Sequence, residues 1–80
     1  MIVFNKKGAV NLNNITTMKP AVDERKIIFY SNTDKAFVMN FKETADAKIA
    51  WDAILYAIFK GHETLNIDNV VEKMREKKEE

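Results

Sequence analysis

The chain offers few groups that could do covalent chemistry, and their spacing argues against most of it. His62-Glu63 could act as a base and its orienter, but the pair follows Gly61 at a helix end, where exposed loop residues are the simpler reading. Asp23-Glu24 lies just past Pro20 and reads as a turn. Asp46 and Asp52 are six positions apart, so they do not share a helix face and form no carboxylate dyad. The two glycines, Gly8 and Gly61, stand far apart and alone, so there is no phosphate-cradling loop. With no cysteine and one histidine, there is no disulfide, no thiolate nucleophile, and no ligand set for zinc. These residues predict a protein that is not an enzyme and carries no metal or cofactor.

Binding chemistry is better represented. Basic and aromatic residues interleave through Arg25, Lys26, Phe29, Tyr30, Lys35, Phe37, Phe41 and Lys42. Rings that stack on bases beside a basic groove are how single-stranded nucleic acids are held. Rings filling a sheet core, with lysines at its edge, would give the same pattern. A small anion such as a nucleotide needs only a few cations. Lys6, Lys7, Lys26 and Lys35 fall near expected hairpin ends, and with Arg25 and Tyr30 they make six candidate ligand-binding residues. Net charge is only +1, low for a nucleic-acid binder. It is unevenly spread: residues 1–42 hold seven basic and three acidic side chains, and residues 43–80 hold six and nine. That asymmetry suits an anionic ligand on the first half, or the docking of one copy's acidic half on another's basic half.

The elements that must position these groups are legible in outline. Ile2-Val3-Phe4, a turn ending at Gly8, and Val10 alternating with Leu12 read as a hairpin. Gly8 is available there for a positive φ. Asn13-Asn14 interrupts the alternation as a turn or bulge, and Ile15 to Met18 resumes it until Pro20. Lys26 to Tyr30 is the strongest strand; Ser31 to Asp34 is turn chemistry, and Ala36 to Phe41 returns antiparallel. Both faces of this hairpin are largely apolar.

A helix follows over Ala45–Lys60, about 24 Å long at 1.5 Å per residue, with Thr44 as N-cap and Gly61 as C′ residue. Ala47, Ala50, Trp51, Ile54, Leu55 and Ile58 share one face and should cover the sheet. Asp46, Lys48, Asp52 and Lys60 are left for water. Ile49, Ala53, Tyr56 and Phe59 form a second apolar set with no sheet to cover, so these four are the candidate interface residues. Their partner is either the C-terminal segment or a second copy. After a short extended piece at Leu65 and Ile67, Asn66 or Asp68 could cap a last helix striped by Val70, Val71 and Met74. Eight of the last nine residues are charged, which reads as a fraying helix or disorder.

Eighty residues make one domain, divided into a sheet (1–42), a long helix (43–61), and a short helix with a charged tail (62–80). The order predicts an α+β fold with one antiparallel sheet of four or five strands. A chain this small buries only about 60–65% of its unfolded surface. Without disulfides or a metal, oligomerisation is the remaining support. No stretch approaches the roughly 20 apolar residues of a membrane span, and the start lacks the layout of a signal peptide; a cytoplasmic protein is expected.

The runs Val10 to Ile15, Lys26 to Tyr30, and Phe41 to Ala45 leading into a helix with Trp51 and Ile54 resemble short uncharacterised proteins of bacteria and their phages. The similarity covers about residues 2–60 and implies a four-stranded sheet backed by a helix. The same strand order is similar to the coactivator and Whirly type of single-stranded-DNA-binding fold, which implies a dimer; no site residue carries over. The functional expectation is a homo-oligomeric module holding an anionic ligand, nucleotide or nucleic acid, near the basic hairpin ends. The alternative is an inhibitor or adaptor that blocks a host protein through its surplus apolar surface.

Overall fold

Alternating apolar residues at both sides of a short turn give the first hairpin, β1 (Ile2–Asn5) and β2 (Gly8–Asn11), paired antiparallel with Val3 opposite Val10. The Asn5 side chain closes the turn by accepting the backbone N–H groups of Lys7 and Gly8 at 2.9 and 3.1 Å. The computed structural model describes residues 1–32 and 34–79. Gly8 does not use a positive φ. Its missing side chain matters instead, because a Cβ there would lie 2.8 Å from the ring of Phe37.

The strands fall into two sheets rather than one. Asn13-Asn14 belongs to a single 3-10 turn (Leu12–Asn14), begun by Asn11, whose side chain accepts the Asn13 N–H. That turn breaks the run, and the next strand joins a different sheet. The second sheet is β3 (Thr17–Ala21), β4 (Lys26–Ser31) and β5 (Asp34–Asn40), all antiparallel, with β4 central. β4 is the strand with the strongest sequence signal, and Ile27, Ile28 and Phe29 are all buried there. Pro20 does not end β3. It pairs with Ile27 inside it, because β3 is an edge strand and a missing donor is tolerated there. Of the expected turn Ser31 to Asp34, Thr33 lies outside the described residues, and Asn32 takes the left-handed φ of 59°.

Helix α1 (Thr44–Lys60) begins one residue before the expected start, with Glu43 rather than Thr44 at the N-cap. It ends as expected on Gly61 at φ 73°, where the N–H groups of Gly61 and His62 bond Ile58 and Ala57. Its buried side chains are Asp46, Ala47, Ala50, Ile54 and Ala57. This strip is rotated from the expected one: Trp51 is half-buried against the core, while Leu55 and Ile58 stay 46% and 45% exposed. Three alanines let the helix sit closer to the strands than a Leu/Ile stripe would.

The piece after α1 is a sixth strand, β6 (Thr64–Asn66), which pairs parallel with β1. Asn66 caps α2 (Ile67–Glu79) by accepting the Asn69 N–H at 3.2 Å. Ile67 is therefore the first residue of α2 and is fully buried. Both sheets and both helices feed one core of Val3, Val10, Ile27, Phe29, Met39, Ala50, Ile54 and Ile67. The Phe37 ring spans the sheets, 6.2 Å from the Phe29 ring and against Gly8.

Gly8→Ala should therefore destabilise the protein by about 1–2 kcal/mol, since the Phe37 ring must shift. In urea unfolding, the cost should largely vanish when Phe37→Leu is already present; equal costs in both backgrounds would show that Phe37 is not the cause.

Candidate functional site

Asp46, expected in water, is only 4% exposed. Its carboxylate takes both arms of Arg75, the Nε bond at 3.0 Å and a shorter one from Nη2. A buried carboxylate is costly unless paired with good geometry, and a bidentate guanidinium supplies that. Arg75 continues the row Ile67 and Val71 at four-residue steps, whereas Met74, expected in the apolar stripe, is 38% exposed. The pair ties α2 to the start of α1. Ile49 and Ala53 follow Asp46 at helical spacing, so they share the flank that α2 approaches, and both are half-buried. Half of the second apolar face is therefore already partly covered within the chain. Only Tyr56 and Phe59 of the four candidate interface residues remain open, at 59% and 82% exposure.

The six candidate ligand-binding residues do not converge. Lys26 pairs with Asn40 at one end of the β4–β5 hairpin and Tyr30 with Lys35 near the other. Lys26 is engaged by Glu24 at 3.0 Å. The hydrogen bond and charge of Lys26 hold the Glu24 carboxyl below its ordinary value. Arg25, at a left-handed φ of 60°, reaches the Lys42 carbonyl. Lys6 and Lys7 line a cleft of about 440 Å³ with Lys42 and Arg75, shared with Asp46, Asp68 and Glu72. Asp68 accepts the Lys6 backbone N–H at 2.7 Å. Phe29 is fully buried, and Phe37 and Phe41 pack on the same core; these rings fill the sheet.

The other end of α1 is apolar and open. Leu55, Tyr56, Ile58 and Phe59 are each at least 45% exposed. Ile58 also walls a cleft of about 550 Å³ formed with Met1, Leu12, Ile15 and Met18, with His62 and Glu63 at one side. Lys60 sets its ammonium 5.8 Å from the centres of both the Tyr56 and Phe59 rings, and His62 meets Tyr56 edge-on at 6.3 Å. Leu55 and Ile58 belonged to the expected sheet-facing stripe, so sequence spacing did not single them out as exposed. The outer face of the β4–β5 hairpin, largely apolar in sequence, offers less: Ile28 is buried, and Tyr30 and Val38 are half-buried. Among the described residues, no helix is long and apolar enough to cross a membrane.

Comparison with protein-family models, curated proteins and solved structures finds no match.

The Asp46–Arg75 pair predicts an asymmetry. Arg75→Met leaves a buried carboxylate without its guanidinium partner, whereas Asp46→Ala leaves an arginine whose side chain is already 46% exposed. Arg75→Met should cost about 1–3 kcal/mol in urea unfolding, and more than Asp46→Ala. The reverse order would show that the guanidinium, not the carboxylate, depends on the pair.

Proposed function

We propose that this protein is a non-enzymatic interaction module that docks on another polypeptide through the open end of α1 and the cleft beside it. One observation carries this reading: Leu55, Tyr56, Ile58 and Phe59 are exposed together and adjoin an apolar cleft of about 550 Å³. Contiguous apolar surface is costly to leave in water and marks interaction sites on small proteins. Aromatic side chains at its centre are the usual energetic anchors.

Replacing Phe59 by the photoreactive analogue p-benzoylphenylalanine tests this in the cells that make the protein. Irradiation should give one discrete polypeptide adduct, absent when the analogue replaces exposed Lys7 in the other cleft. No adduct at position 59 beyond the Lys7 control would sink the reading.

A second reading keeps the anionic ligand and is favoured by Lys6, Lys7 and Lys42 lining one cleft near the start of α1. A helix start adds a favourable field for negative charge. Isothermal titration with ATP should then show binding that weakens with salt and is lost in Lys6→Ala/Lys7→Ala. Equal heats for that variant and the parent would remove this site.

A further inference from the structure

We propose that the polypeptide covering the open end of α1 is a second copy of this chain, in a twofold dimer where Phe59 of each copy enters the cleft of the other. This rests on the interaction reading above and gives that surface its partner.

Three features of the patch favour a copy of itself. The projecting group and the hollow lie on one side of the helix: Ile58 walls the cleft, and exposed Leu55 is a surface neighbour of both Ile58, three positions on, and Phe59, four positions on. When both halves of a contact share one face, a twofold axis between them satisfies both at once and the assembly closes at two. A knob and hollow on opposite faces would instead build an open chain.

The area is of the right order. An aromatic side chain hides about 150–250 Å² when fully covered. Phe59 and Tyr56 are 82% and 59% exposed, and Leu55 and Ile58 are near half. Together with the cleft walls, they supply the central part of the roughly 800 Å² per partner that a stable dimer hides.

The charges around the patch also suit self-contact. Asp52 and Glu63 are exposed on its margin with Lys60. Such a mixed rim can pair with itself, whereas a partner of one strong sign would leave some of these charges facing like charge. The need for support is independent of the patch: the chain has no cysteine, and domains this small commonly depend on association or cross-links.

Sedimentation velocity of the purified chain at about 100 µM, above the micromolar range of a modest interface, decides the matter. The protein should sediment as twice the 9.3 kDa chain. Phe59→Glu should weaken dimerisation by about 30-fold or more, with unchanged circular dichroism, because Phe59 makes little contribution to its own fold. Ile15→Glu should do the same from the cleft side. Should Ile15→Glu fail to fold, exposed Thr17→Glu at the cleft margin replaces it. A monomer, or a dimer indifferent to Phe59→Glu, overturns the proposal. A monomer that still gives the adduct at position 59 removes only the second copy and leaves the interaction reading standing. A monomer without that adduct removes both.

Discussion

A 17-residue helix with apolar side chains around most of its circumference can rest on a small pair of sheets along only one strip. In this chain, alanines set that strip. Ala47, Ala50 and Ala57 are buried with almost no side-chain height, while Ala50 and Ile54 enter the common core. The larger residues next to the strip are then turned sideways. Trp51 is tucked against the core, and Leu55 and Ile58 are left half in water.

Each end of α1 resolves the leftover surface differently. At the start, α2 approaches and Arg75 meets Asp46, so among the described residues Ile67, Val71, the Asp68 bond to the Lys6 N–H and this ion pair help to hold a helix with little apolar stripe of its own. Ile49 and Ala53, at helical spacing from Asp46, are half-covered. At the other end the chain leaves through Gly61 into β6, which is committed to pairing with β1. Among the described residues, Tyr56 and Phe59 are left 59% and 82% exposed. Lys60 lies beside both rings, a partial cover that leaves Phe59 mostly exposed. The two clefts differ for the same reason: one sits where charges of α2, the first turn and the β5–α1 loop meet, and the other where apolar residues of α1 and the 12–18 segment do.

The α+β class, the two hairpins, the end of α1 at Gly61 and a cap for α2 at Asn66 or Asp68 were legible in residue spacing, because each depends mostly on neighbours within a few positions. So was the excess of apolar surface on α1, though of the four residues expected to carry it only Tyr56 and Phe59 are open. The division into two sheets was not, since Leu12 to Ile15 reads equally as a bulge within one sheet or a break between two. Gly8 looked like a turn glycine; contact with Phe37, 29 positions away, is what excludes a side chain there. The six basic and aromatic candidates for ligand binding shared a region of sequence, yet strand pairing spread Lys26 and Lys35 to opposite ends of one hairpin.

What the sequence determined by itself is therefore local: element types, turn chemistry, caps, and the amount of apolar surface to be covered. Tertiary structure alone decided which strip of α1 faces inward, that Asp46 leaves water to meet Arg75, and which apolar side chains stay open. Helical periodicity fixes the angles between side chains on one helix, but not the rotation of that helix against its neighbours. That rotation is set by packing against the neighbouring elements, and here it buries Ala47, Ala50, Ile54 and Ala57 while Leu55 and Ile58 stay half in water.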